Sequence, residues 1–381
     1  MILTDLPDGF HDDPFPHYAA LREAGIVAQP DGSILVGRHA DLQAIYKDTA
    51  TFRSDKTEVF GPKFGPSPLY DHHTTSLVFN DPPLHTRVRR VLTGALTPRA
   101  LARLQPRLEA LVDRLIDALG PAPDLIGDFA AAIPVEVIGD LLAVPEAERA
   151  PLRDWSLAIL GALEPALPPA QQAAGNQAVT DFLAYLQDLV ARRRAAPGDP
   201  EQDVLTRLMQ DETLSEAELL HNCIFILNAG HETTTNLIGN ALWLLDRDVT
   251  ARAGDPAAIV EEVLRLESPN QFGNRQTTRA ITLHGRDVPV GTDIHLCIGA
   301  ANRDAAVFDD PDVFRLDRGA ARHLAFAAGP HVCIGLTLAR IEGRVAVERF
   351  LTRCPGYRIT ASRRGRRVRF RGFEGIDAVL S

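Results

Sequence analysis

The 381-residue chain has only four cysteines, Cys223, Cys297, Cys333 and Cys354, with no CxxC pair and no matched spacing. That excludes a disulfide framework and a cysteine-built zinc site. No apolar run reaches the roughly 18–20 residues of a membrane span, and the first residues lack the basic-then-apolar pattern of a secretory signal. Basic charge is in deficit: 40 Lys and Arg against 50 Asp and Glu give a net charge of -10. General nucleic-acid binding needs a basic footprint and is excluded. A GxGxxG opening a strand–helix unit is missing too, and so is any internal repeat. Aromatics make up 6% of the residues, while alanine and leucine outnumber the β-branched types. A mainly α fold with a small β portion is therefore expected. The expectation is a single cytoplasmic, monomeric domain over 1–381 that touches neither membrane nor nucleic acid.

What is present gathers around Phe326-Ala327-Ala328-Gly329-Pro330-His331-Val332-Cys333-Ile334-Gly335. Small residues, a proline and two glycines make this a loop. The next segment places Leu336, Leu338, Ile341, Val345 and Val347 broadly on one side and predicts a helix. Cys333 thus sits just ahead of a helix N-terminus, where amide groups and the dipole favour a thiolate. A lone cysteine is more commonly buried and inert, so the loop needs support from elsewhere.

Support comes from a long apolar helix predicted from a capping box, Ser215-Glu216-Ala217-Glu218, to about Leu245. Its middle reads Ala229-Gly230-His231-Glu232-Thr233-Thr234-Thr235. Glycine costs a helix about 1 kcal/mol relative to alanine, and threonines compete for its carbonyls. A hydroxyl beside a titratable carboxylate is equipment for delivering protons. His231-Glu232 opens like the zinc-protease HExxH, but position 235 is threonine, so that reading fails.

Other segments follow the same logic. His85 and Arg89 lie four apart on one helical face, suited to an anion. Glu262 and Arg265 form an ExxR pair, a common pattern usually worth less than about 1 kcal/mol at a surface. Ile26 to Val36 predicts a hairpin around Asp31-Gly32, and 279–283, 287–290 and 293–298 predict short strands. Residues 56–80 carry prolines, glycines and histidines without helical period and are expected to be an irregular functional segment. Adjacent His72 and His73 should point apart there as solvated or hydrogen-bonded residues, with substrate contact as the alternative.

The cysteine-loop spacing FxxGxHxCxG, the AGHETT stretch, ExxR and the HTRVRR–LTPR segment occur in order and span nearly the whole chain. Together they resemble the cytochrome P450 superfamily, in its bacterial, soluble, ferredoxin-dependent form. The resemblance implies haem b held between the long central helix and the cysteine-loop helix, with Cys333 as the iron ligand. It implies His85, Arg89, Arg275 and His331 as partners of the haem propionates. Ala229, Gly230, Phe326 and Gly335 would complete the cofactor pocket, Gly230 leaving room for the ligand. Thr233 would hydrogen-bond dioxygen and Glu232 would relay protons. Glu262 and Arg265, joined by Arg318, would support the cysteine loop. Leu77, Val78, Phe79, the span 160–163 and the region of Phe373 would meet substrate.

The implied activity is monooxygenation, inserting one oxygen atom into a small to medium apolar substrate. Electrons would come from NAD(P)H through a ferredoxin reductase and a ferredoxin docking near Arg90, Arg99 and Arg103. Leu77, Phe79, Leu227 and Phe272 are apolar pocket candidates; Asn270, Gln271 or His73 would anchor a polar end. Asn228 is expected to hydrogen-bond across the groove, and His231 to point away from it. A peroxide-driven peroxygenase and a non-catalytic haem or ligand carrier are the alternatives. Two departures stand out: Leu96 and Ala327 occupy positions where the family more often has Phe and Gly.

Overall fold

A computed structural model describes residues 1–200, 203–319 and 322–380. Proline sets where many helices begin, because its missing N–H costs nothing in a first turn. α1 (Phe15–Ala24) and α2 (His39–Lys47) flank the first hairpin. α3 (Thr57–Phe64) and α4 (Pro68–Thr75) follow, the latter opening on Pro68 with Ser67 capping the amide of Tyr70. Residues 57–75 are thus two short helices and not the irregular segment expected from sequence. Pro62, Gly65 and Pro66 broke the periodicity without breaking the structure. α5 (Leu84–Ala95), α6 (Pro98–Asp117), α7 (Ala132–Leu141), α8 (Leu152–Gly161) and α9 (Pro169–Ala195) come next. The Pro-rich turn 162–168 separates α8 from α9.

The short α10 (Val204–Met209) leads to α11 (Glu216–Arg247), 32 residues and about 48 Å long. Its capping box is complete: the Ser215 hydroxyl accepts from the Glu218 amide and the Glu218 carboxylate accepts from the Ser215 amide. Residues on every side of α11 are buried, so it runs through the molecule's interior. It packs against α7, α8, α9, α12 (Pro256–Leu266) and, after the small α13 (Ile298–Ala301), α14 (Leu336–Arg353).

The β portion is small. A five-stranded sheet has the order β1-β2-β7-β4-β3, built from Ile26–Ala28, Ile34–Val36, Asp293–Cys297, Phe272–Thr277 and Phe52–Arg53. β2 and β7 run parallel, Leu35 opposite His295; the other pairings are antiparallel. β5 (Ile281–Leu283) pairs with β6 (Arg286–Val288), and β8 (Arg358–Arg364) with β9 (Phe373–Val379). The stretch 366–372 is part of the loop between β8 and β9. Among the described residues no helix is long and apolar enough to cross a membrane.

Candidate active site

A cavity of about 570 Å³ lies between the middle of α11 and the loop ahead of α14. Cys333, Phe326, His331 and Gly335 line one wall; Ala229, Gly230 and Thr233 line the facing one. The loop holds its shape through backbone bonds. The Cys333 amide donates to Phe326 O at 2.9 Å and Val332 N to Gly329 O at 3.0 Å. Gly329 takes φ 69°, and a Cβ there would run into the backbone carbonyl of Tyr46 on α2. Left-handed backbone alone costs a non-glycine residue about 1–2 kcal/mol. Gly329→Ala is therefore expected to lower the unfolding free energy by about 2 kcal/mol or more, read as a lower denaturant midpoint at unchanged slope. A wild-type midpoint in the variant would remove the close-approach argument.

Burial pushes the Cys333 thiol up, while the Gly335 N–H, Arg89 and Arg340 pull it back toward the thiolate. Arg89 of α5 donates to Val332 O at 2.8 Å. Beside it, the His85 and His331 rings lie 3.9 Å apart, and His331 Nε2 sits 3.5 Å from Asp81. Burial, with His331 and Arg89 adding, drives His85 down to about 4. Among the described residues its Nε2 has no partner, nor do Nε and Nη2 of the buried Arg275, whose Nη1 donates to Asn274 O. A buried donor left without a partner costs about 1–3 kcal/mol. Two of these four side chains left without partners at one rim mark a place for an anionic group.

The facing wall departs from helix rules as the sequence indicated. Thr233 Oγ1 donates to Ala229 O at 2.8 Å, the local bond that makes threonine awkward mid-helix. A Cβ on Gly230 would meet Ile138 Cδ1 of α7 at 2.6 Å, so glycine here answers to helix packing as well as to the cavity. His231 points away from the cavity, buried, and is driven down to about 3 by burial. Asn228 lines the cavity with both amide atoms unpartnered.

Of the expected catalytic and cofactor-binding residues, Glu232 alone does not line the cavity. It turns toward the C-terminal loop, where Arg367 Nη1 donates to its Oε2 at 2.6 Å. Arg367 also donates to Leu157 O on α8 at 3.0 Å. Burial lifts Glu232 to about 7; Arg367 opposes the rise and Glu164 adds to it. Arg367 stabilises the charged carboxylate, so Arg367→Ala is expected to raise the Glu232 pKa further, by about 1 unit or more. The protonated-carboxyl infrared band, assigned by its loss in Glu232→Gln, should persist to higher pH in the variant. A shift to lower pH would contradict the pairing.

Behind the loop, Arg265 forks onto Glu262 (Nε–Oε2 2.8 Å, Nη2–Oε1 2.7 Å), and Arg318 Nε donates to Oε1 at 2.9 Å. All three expected members meet in one buried network.

The sequence profile described as Cytochrome P450 matches residues 257–355. Cytochrome P450 107B1 of Saccharopolyspora erythraea is 34% identical over 410 residues, covering 98% of this chain and 96% of that protein. The chain belongs to the cytochrome P450 family. Vitamin D(3) 25-hydroxylase of Pseudonocardia autotrophica is 35% identical, over 91% of this P450 and 87% of the relative. The crystal structure of P450BioI with hexadec-9Z-enoic acid ligated acyl carrier protein superposes with a TM-score of 0.92 at 29% identity, covering 98% and 100% of the two chains. The protein is a P450 monooxygenase, and the family uses haem iron with a thiolate ligand, and dioxygen.

Several P450 residues differ from their expected places. His72 and His73 are buried, not solvated; their rings lie 4.9 Å apart on α4 and both line the cavity. Leu227 is buried in the core while Ile226 faces the cavity. Asn270 lines it but Gln271 does not, its amide donating to Ser268 O. Phe373 packs on Trp243 and Arg364, and Phe370 takes the cavity position. Leu77, Val78, Phe79, Leu160 and Leu163 line the cavity as expected. Ala327 takes φ 57°, which explains why glycine is usual there. Sequence reasoning missed Glu342 of α14, a buried cavity carboxyl pushed up to about 8 by burial and contacted by the Thr234 hydroxyl at 3.5 Å. It also missed Lys63 and Arg369. A lone charged residue in an amphipathic segment gives no signal of facing inward.

Proposed function

We propose that this P450 holds haem b through Cys333 and inserts one oxygen atom into an apolar organic substrate. The observation that carries the reading is the cavity itself, walled by a cysteine loop and a broken-rule stretch of helix, with unpartnered nitrogens of Arg275 and His85 at one rim. Arg89, Arg275, His85 and His331 suit the two propionates, since arginine pairs with carboxylates in the strongest hydrogen bonds available. Phe326, Ala229, Gly230 and Gly335 supply the flat apolar walls. The bound haem supplies dioxygen activation: a C–H bond, dioxygen, two electrons and two protons become C–OH and water.

The chain's own part is proton handling and exclusion of water. The Thr233 hydroxyl, resting on Ala229 O, presents a donor at the cavity wall, and Glu232 holds a proton near neutrality just outside it. Ion-pairing to Arg367 turns Glu232 toward the C-terminal loop, the direction from which a proton would be resupplied. Electrons reach the site singly from NAD(P)H through a ferredoxin reductase and a ferredoxin. The exposed Arg90, Arg99 and Arg103, on α5 and α6, are the docking patch for that acidic partner. Charge reversal at Arg90 and Arg99 without loss of ferredoxin-driven turnover would sink that docking site.

The deciding experiment is the spectrum of the reduced, CO-bound protein, followed by turnover under isotopically heavy dioxygen. A strongly red-shifted Soret band with label in the product supports the reading. A globin-like band with no labelled product would turn it into a carrier.

A further inference from the structure

The cavity has a charged corner built by α3, the 162–168 turn and the β8–β9 loop. Lys63 Nζ donates to Glu164 O at 2.7 Å, and Arg369 Nε to Leu163 O at 2.7 Å. Both line the cavity, and among the described residues neither has a carboxylate within ion-pair distance. The two nearby acids are committed elsewhere. Glu164 accepts from the amides of Val368 (2.8 Å) and Arg369 (3.4 Å). Asp293 is taken by Lys56 and by Asn274 Nδ2 at 2.9 Å. Three cations thus share two carboxylates, a surplus of one positive charge in a low-dielectric cleft. Facing them, His73 has a buried Nε2 with no partner among the described residues.

An uncompensated buried cation is strongly destabilising, so folding gives no reason to keep this arrangement. The strain is visible: burial, with Arg369 adding, lowers Lys63 to about 7. Around the corner the walls are apolar, with Val59, Phe60, Phe79 and Pro165.

We infer that the substrate is an amphipathic monocarboxylate, whose carboxylate sits between Lys63 and Arg369 while its apolar skeleton extends into the cavity toward Thr233. This rests on the monooxygenase reading above and names its substrate class. A single surplus charge matches a carboxylate and not a phosphate dianion. Arginine offers a planar fork and lysine a point charge, the pair that receives a carboxylate from two directions. His73, neutral, adds one further hydrogen bond.

The test is calorimetric titration of the haem-loaded protein with straight-chain acids from octanoic to hexadecanoic, each against its methyl ester and the matching alkyl phosphate. At least one acid is expected to bind about tenfold or more tighter than its ester, the size of one charge-assisted hydrogen bond. Lys63→Met should remove most of that preference and leave ester affinity unchanged. The groups facing Lys63 are Arg369, Glu164, Asp293 and His73, plus the Phe64 ring of its own helix at 5.3 Å. Lys63, lowered to about 7, loses its charge as pH rises past neutrality, so acid affinity should fall as pH rises through about 7 and ester affinity should not. Equal affinity for acids and esters, tighter binding of phosphates, or no binding by any acid overturns the inference. A missing red-shifted CO band together with retained acid preference would instead overturn the monooxygenase reading and leave this site standing.

Discussion

Cys333→Ser is expected to lower substrate oxidation by roughly a thousandfold or more while leaving the protein folded. Serine is nearly isosteric, and the loop is held by backbone bonds that the substitution keeps: Cys333 N to Phe326 O and Val332 N to Gly329 O. What changes is charge. Three features favour an anionic sulfur there: the Gly335 N–H, Arg89 and Arg340. A serine hydroxyl, with an intrinsic pKa far above that of a thiol, stays neutral among the same donors. On the proposed ligation through Cys333, the electron-rich ligand that favours O–O cleavage would then be lost. The reduced, CO-bound spectrum should move from the red-shifted thiolate position toward that of a neutral ligand. A denaturant midpoint near wild type would confirm that the loss is chemical. A variant that keeps the red-shifted band would exclude Cys333 as the ligand.

The cysteine loop, the capping box at Ser215 and the Glu262–Arg265 pair are legible because they are written in local spacing, and local spacing survives folding. Arg318, far along the chain from that pair, joined it only through the resemblance. Residues 57–75 were misread because three prolines and two glycines within 61–68 look like a loop, whereas Pro68 is the first residue of a helix. The same local view explains His72 and His73. As neighbours in extended chain they diverge, but on a short helix packed against α9 and α11 both are buried. Glu232 shows a different limit. Its place in the motif was plain, but its direction depends on Arg367, 135 residues away. Lys63 and Arg369 meet only when α3 and the C-terminal loop close on the same turn. Long-range pairing of this kind leaves no periodic trace.

The largest stability effect is expected at Glu262. Its carboxylate accepts from Arg265, from Arg318 Nε and from the Arg315 amide at 3.0 Å, and both Glu262 and Arg265 are at least 96% buried, with relative exposures of 4% and 2%. Arg265 also donates to the carbonyls of Asn302 (2.9 Å), Pro311 (2.6 Å) and Val313 (3.1 Å). Glu262→Ala would leave two guanidinium groups without their anion, one of them in the core, and removal of one member of a buried pair costs about 3–5 kcal/mol. The exposed Arg344–Glu348 pair on α14 offers the contrast, with both side chains at least 32% exposed. Glu348→Ala should cost less than about 1 kcal/mol because solvent screens that pair. Urea unfolding of the two variants, fitted with a common slope, measures the difference directly. The consequence reaches the site, since Arg265 and Arg318 clamp residues 302–318, the segment that delivers the chain to the cysteine loop. Glu262→Ala should therefore lose haem at denaturant concentrations where Glu348→Ala retains it. Similar costs in both variants would mean that the buried triad contributes no more than a surface pair, and the cysteine loop would need another support.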